Sequence, residues 1–186
     1  MFDFVIALIL IALFVLIKFA NRRNETTVFG APYVPLEPDV VNRIMEMAKV
    51  KKGDIFYDLG SGDGRLVIAA AQRGARAYGV EIDPARIWYS RLCILLFGLW
   101  GRASIINANI FDVDLSKADV LTMYLLQETN DKLFPKLVKE VKDGSRVVGV
   151  AFNFPKWKPV EINKFGPIYG PIYLYHYNKE EQVNQH

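Results

Sequence analysis

Histidine and cysteine are almost missing from this chain of 186 residues. The two histidines are His176 and His186, the last residue, and the one cysteine is Cys93. With so few of these residues a histidine-based triad and a zinc site are not expected, and no metal site is read. One cysteine allows no internal disulfide. Cys93 lies in the apolar run Cys93-Ile94-Leu95-Leu96-Phe97, where packing is its expected role. Charge of one sign is scarce as well. The formal net charge is +3, with arginine and lysine dispersed, so no basic stripe marks a nucleic-acid surface. No internal repeat or low-complexity tract occurs.

The sequence does hold 52% hydrophobic residues, enough for one domain with a full core. Residues 4–17 are unbroken apolar, and residues 1–20 carry only Asp3 and Lys18 as charges. About 20 apolar residues cross a bilayer as a helix, with Lys18 able to snorkel. Lys18, Arg22 and Arg23 follow the run rather than precede it, which argues for an anchor over a cleaved signal. The positive-inside rule then turns the rest of the chain toward the cytoplasm. The expected organisation is a transmembrane anchor at 1–20, a linker and proline-rich covering segment at 21–38, and a catalytic domain at 39–186.

The domain is organised around Asp58-Leu59-Gly60-Ser61-Gly62-Asp63-Gly64-Arg65. A short apolar run, Ile55, Phe56, Tyr57 and Leu59, reads as a strand, and Leu66 to Arg73 as a helix stopped by Gly74. Strand, glycine turn and helix make half of a Rossmann-like unit, whose backbone N–H groups face a ligand. The spacing is Gly-x-Gly-x-Gly, not the dinucleotide Gly-x-Gly-x-x-Gly, and Asp58 and Asp63 flank it. Two carboxylates repel a pyrophosphate but suit a ligand with an ammonium and a ribose, such as S-adenosylmethionine. Ala77 to Ile82 reads as the second strand, ending on Glu81 about 20 residues past the glycines, where an acid can accept from both ribose hydroxyls. Asp83-Pro84 reads as an N-cap and first helical residue. The helix after it carries Ile87, Trp88, Leu92, Leu95, Leu96 and Leu99, expected to be mostly core; Trp88 is read as packing, with a place near adenine as the alternative.

Residues 104–108 read as a third strand, followed by Asn109, whose amide suits adenine's edge. Residues 119–126 read as a fourth, buried strand, with Tyr124 at its end beside the glycines. A charged amphipathic helix is expected over 129–141, kinked or restarted at Pro135. A fifth strand is expected over 144–152, then an antiparallel hairpin near 159–162 and 172–177. Tyr173, Tyr175 and Tyr177 alternate and share one face as core. Tyr33, in Pro32-Tyr33-Val34-Pro35, is read either as part of a stiff spacer or as a cover over one edge of the pocket.

These features together resemble the class I S-adenosylmethionine-dependent methyltransferases: a seven-stranded Rossmann-like α/β sheet closed by a C-terminal antiparallel hairpin. More narrowly, Pro32-Tyr33-Val34-Pro35, the 58–65 motif, Tyr124-Leu125-Leu126 and Asn130-x-Lys132-Leu133-x-Pro135-Lys136-Leu137 look like the small archaeal protein-lysine methyltransferases and their membrane-anchored eukaryotic relatives. The resemblance implies that Asp58, Gly60, Ser61, Gly62 and Asp63 hold the methionine end. Glu81 would hold the ribose, and Asn109 and Ile110 would flank adenine, although the wider class often has an acid where Asn109 stands. Tyr124 and Tyr33 are the candidate catalytic residues, read with Phe152 to Phe154 as linings of an aromatic channel that lowers a lysine's pKa, with Tyr124 orienting the amine. The substrate implied is lysine on proteins, for a monomer that reaches the membrane through its N-terminal helix and needs no nucleic acid. RNA or a lipid-like molecule as acceptor, or a non-catalytic binding module, are the alternatives.

Overall fold

The computed structural model describes residues 33–164 and 166–179. The expected anchor at 1–20 and the first part of the linker lie outside these residues. Among the described residues no helix is long and apolar enough to cross a membrane.

The chain opens as an extended segment, then enters helix α1 (Pro38–Met47), with proline in its first turn and Glu37 at the N-cap position. Val40, Val41, Ile44 and Met45 form its buried face. Strand β1 (Ile55–Leu59) leads through the glycine turn into α2 (Arg65–Gln72). Then come β2 (Arg76–Glu81), α3 (Pro84–Leu96), β3 (Ala103–Asn107) and β4 (Val120–Met123). Helix α4 (Gln127–Glu140) is followed by β5 (Arg146–Val150), β6 (Glu161–Lys164), the single turn α5 (Gly166–Tyr169) and β7 (Pro171–His176).

The strands form one seven-stranded sheet in the order β3-β2-β1-β4-β5-β7-β6. β1 to β5 run parallel, and β7 enters antiparallel between β5 and β6. The fold class read from the sequence is therefore observed for the domain. Two cores sandwich the sheet. On one face α1, α2 and α3 cover Phe56, Val120, Val148 and Leu174. On the other, α4 and an aromatic cluster of Phe154, Trp157, Tyr175 and Tyr177 cover Leu59, Leu121 and Val147. The alternation along each strand is what sends consecutive side chains to the two cores.

Several boundaries differ from expectation. β4 stops at Met123, so Tyr124-Leu125-Leu126 is free to turn along the sheet's edge. Helix α4 starts two residues early and runs through Pro135 without a restart. The helix after Asp83 is where the expected core fails most. Ile87 and Ile94 are buried, but Trp88, Leu95 and Leu96 are exposed. Phe154 is buried against Trp157 and Tyr175, with ring centroids at 5.2 and 5.6 Å, rather than lining the cleft. Cys93 is half-buried, and burial pushes its thiol up from the ordinary range, in keeping with a packing role.

Three elements meet at the N-terminal end of the sheet on one guanidinium. Arg146 Nη2 lies 2.8 Å from Asp54 Oδ1, and its Nη1 donates to the carbonyls of Ala48 and Lys49 at 2.6 and 2.8 Å. It thereby caps α1 and neutralises a buried carboxylate. Arg146→Ala leaves Asp54 buried without its cation and should cost on the order of 3 kcal/mol. Urea unfolding followed by far-UV circular dichroism measures this; an unshifted midpoint would show that Asp54 finds water instead.

Candidate active site

Gly60, Gly62 and Gly64 all have positive φ, at 80°, 54° and 78°. The turn they make is bonded to the end of β2: the Gly60 and Ser61 amides donate to Val80 O at 2.9 and 3.0 Å. At Gly62 the requirement for glycine is double. Its backbone is left-handed, and a Cβ there would stand 2.7 Å from the Tyr33 ring. Tyr33 therefore lies directly over the turn, and the Arg86 guanidinium sits 4.6 Å from its ring centroid. Burial, and then the charge of Asp63, push the Tyr33 phenol above its ordinary value. It stays neutral.

Glu81 does more than end a strand. Its Oε2 accepts from the Gly62 amide at 2.8 Å, and its Oε1 accepts from the amides of Ile82 and Asp83 at 2.8 and 2.9 Å. Three backbone donors thus fix the carboxylate and tie the glycine turn to the β2–α3 junction. A carboxylate has about four acceptor sites, so room remains for a ligand hydroxyl. Asp58, at the end of β1, is buried with its Oδ1 accepting from Thr122 Oγ1 at 2.8 Å. The two residues are register partners on adjacent strands. Burial raises the Asp58 carboxyl to about 7; the Thr122 hydrogen bond opposes that shift, and the charges of Asp63 and Glu81 add to it. Asp63 in turn is paired with Arg65, whose Nε lies 2.8 and 3.0 Å from its two oxygens. Arg65 also donates to Leu36 O, clasping the proline-rich segment down beside the turn.

These groups line one end of a cleft of about 910 Å³ at the C-terminal ends of β1, β2 and β4, the switch point where such sheets take ligands. Asn109 and Ile110 line it on the β3 side; Asn109 Oδ1 already accepts from the Phe111 amide at 3.1 Å. Tyr124, Phe152 and Tyr169 line the other end. Phe152 follows Ala151, whose φ of 67° is unusual for a residue with a Cβ. That left-handed residue ends β5 at the cleft. Trp88 is not among the lining residues and is 71% exposed, so it is neither packing nor an adenine contact.

The expected site residues Tyr33, Asp58, Gly60, Ser61, Gly62, Asp63, Glu81, Asn109, Ile110 and Tyr124 all border this one cleft. Sequence reasoning missed Thr122, Arg65, Arg86, Ala151 and Tyr169. Thr122 carried a signal, as the one hydroxyl in the otherwise apolar β4. The residues fit the ligand that the sequence implies. Buried Asp58 has no basic partner among the described residues, so an ammonium would complete it. Ser61 Oγ is buried without a hydrogen-bond partner, and the glycine turn leaves room only for backbone.

Two substitutions test this end of the cleft with S-adenosylhomocysteine as the calorimetric probe. Glu81→Ala removes both the ligand acceptor and the Gly62 tether, and should weaken binding by ~1.5–3 kcal/mol, roughly tenfold to hundredfold. Gly62→Ala drives a methyl group into the Tyr33 ring and should weaken binding at least as much. Wild-type affinity in both variants would remove the turn from the site.

Comparison with known proteins gives the same direction. A family model described as ANTKMT methyltransferase domain matches residues 58–161, and one described as histone methylation protein DOT1 matches residues 20–93. A protein-lysine N-methyltransferase of Saccharolobus islandicus is 47% identical over 148 residues, 77% of this chain and 92% of that protein. The adenine nucleotide translocase lysine N-methyltransferase of Mus musculus is 32% identical over 70% of this chain, which spans 57% of that enzyme's length. Among solved structures, an RNA methyltransferase from Salinibacter ruber in complex with S-adenosyl-L-homocysteine superposes with a TM-score of 0.75. It is 35% identical, over 78% of this chain and 95% of that one. With relatedness at this level across nearly the whole domain, the chain belongs to the ANTKMT methyltransferase family, and its cofactor is S-adenosylmethionine.

Proposed function

We propose that the protein methylates the side-chain amine of lysine residues in proteins. The carrying observation is the charge of the cleft. Its carboxylates are Asp58, Asp63, Glu81 and Glu128, and its cations are Arg65, Arg86 and Lys132. All three cations are engaged: Arg65 with Asp63, Arg86 with Asp83 at 3.8 Å and the Tyr33 ring, and Lys132 with Glu128 at 2.7 Å. With each of these cations held by a carboxylate or a ring, none is free for a phosphodiester backbone. The likeness to the Saccharolobus protein-lysine N-methyltransferase supports the same acceptor. RNA is the second reading, because the Salinibacter structure carries that description, and the cleft's charge weighs against it.

The bound cofactor supplies an electrophilic methyl group on a sulfonium. In this reading Asp58, Gly60, Ser61, Gly62 and Asp63 hold its methionine end, with the Asp58 carboxylate facing the ammonium. Glu81 takes the ribose, and Asn109 and Ile110 flank the adenine. Tyr33, beside Gly62 and the Arg86 guanidinium, covers the turn. At the other end the acceptor must give up a proton, since a lysine ammonium with a pKa of about 10.4 has no lone pair. Tyr124, Phe152 and Tyr169 form an aromatic throat that disfavours the charged form. Burial, and then the neighbouring Tyr169, raise the Tyr124 phenol. It therefore stays protonated near neutral pH and serves as a hydrogen-bond partner that orients the amine, not as a base. Water takes the proton before the side chain enters.

The chain is read further as a monomer held to the membrane by residues 1–20, with the domain on the cytoplasmic side. Lys18, Arg22 and Arg23 support that orientation.

With labelled cofactor and cell lysate, the label should enter protein, resist nuclease and appear as methyl-lysine after acid hydrolysis. Label in RNA or lipid would leave the fold and remove the lysine reading. Tyr124→Phe should lower kcat several-fold, about 1 kcal/mol for one hydrogen bond, with cofactor affinity unchanged. Protease applied to intact cells should spare the domain; cleavage from outside would reverse its orientation.

A further inference from the structure

Helix α3 is apolar on two sides. Its inner side meets the sheet through buried Ile87 and Ile94. Its outer side carries Trp88, Leu95 and Leu96, and the turn that follows adds Phe97 and Trp100. All five are more than half exposed, Trp88 at 71% and Trp100 at 79%, and none lines the cleft. Side chains of this size and exposure present on the order of several hundred Å² of apolar surface, as large as the main patch of a typical monomer.

The charge of the segment that carries the patch is of one sign. No acid occurs from Pro84 to Arg102. Beside the patch, the N-terminal ends of three adjacent strands carry Lys51 and Lys52 before β1, Arg76 at the start of β2 and Arg102 before β3, all exposed. They are neighbours in space. A Cβ on Gly74 would lie 3.0 Å from Lys52 Cβ, and the Ala77 amide donates to Arg102 O at 2.8 Å.

We infer that this face docks on an anionic lipid surface, with Trp88, Leu95, Leu96, Phe97 and Trp100 entering the interface and the four basic side chains lying over lipid phosphates. An apolar face with tryptophans and a cationic rim is the chemistry of an interfacial membrane contact. Supply favours it too. The inference rests on the membrane attachment proposed above, and residues 18–32 can span at most about 50 Å, so the patch never leaves the neighbourhood of the bilayer. The cleft lies at the ends of the strands opposite to these four basic side chains.

The test uses the full chain in vesicles of phosphatidylcholine and phosphatidylglycerol, with or without brominated acyl chains. The chain has three tryptophans, Trp88, Trp100 and Trp157, so residues 1–32 are silent in emission. Trp157 is buried at 6% exposure. Emission should shift to shorter wavelength on lipid and drop in brominated vesicles, and the Trp88→Phe/Trp100→Phe variant should lose that drop. Resistance to alkaline carbonate extraction reports the spanning segment separately. A quenched but extractable chain keeps the docking face and removes the anchor; an unquenched chain overturns the docking face whether or not it is extracted. Unquenched emission that is also shielded from acrylamide means that protein covers the patch, which overturns it equally. Equal quenching without phosphatidylglycerol overturns the role given to Lys51, Lys52, Arg76 and Arg102.

Discussion

A carboxylate buried at the end of a strand, with no cation beside it among the described residues, sets the terms for the rest of this domain. Asp58 is held by Thr122 from the next strand and crowded by Asp63 and Glu81. Isolated charges are costly to bury, and the free domain meets that cost by keeping Asp58 partly protonated. The cost ends when a positive group arrives. The glycine turn, the three amides on Glu81 and the Arg65 clasp can each be understood as holding the cleft in shape around that unmet charge, so that little need be reorganised when the cofactor binds.

The same electrostatics extends to the acceptor. The aromatic end of the cleft disfavours the charge of a lysine that enters it. Desolvation acts where Tyr124 and Tyr169 are neighbours. Alignment then supplies much of the acceleration. The outer face of α3 adds a second surface that faces away from the chemistry and serves location.

Much of this was legible in the residues alone. The glycine turn between acids, Glu81 at a strand end and Tyr124 at the switch point are local patterns with one physical meaning each, and all three border the cleft. What was not legible depends on partners distant in sequence. The Glu81 carboxylate receives the Gly62 amide across 19 positions, and only the strand pairing brings Thr122 to Asp58. Arg65 reads as an ordinary first helical residue until the proline-rich segment is laid against it. The miss on α3 has another cause. The helix is apolar nearly all round, so its pattern carries no phase, and nothing in the run distinguishes Ile87 and Ile94, which meet the sheet, from Trp88 and Leu95, which do not. Phe152 and Phe154 read alike in the sequence, but Ala151 and the strand's end separate them between cleft and core.

Completion of buried Asp58 by the cofactor's ammonium is open to direct measurement. Calorimetry with S-adenosylhomocysteine near pH 7, in buffers of different ionisation enthalpy, counts the protons that move on binding. With the free carboxyl at about 7 and its ionised form favoured by the ligand, about half a proton should be released, and Asp58→Asn should abolish the release. Binding without proton release in the wild-type protein, or unchanged release in Asp58→Asn, would contradict this role for Asp58.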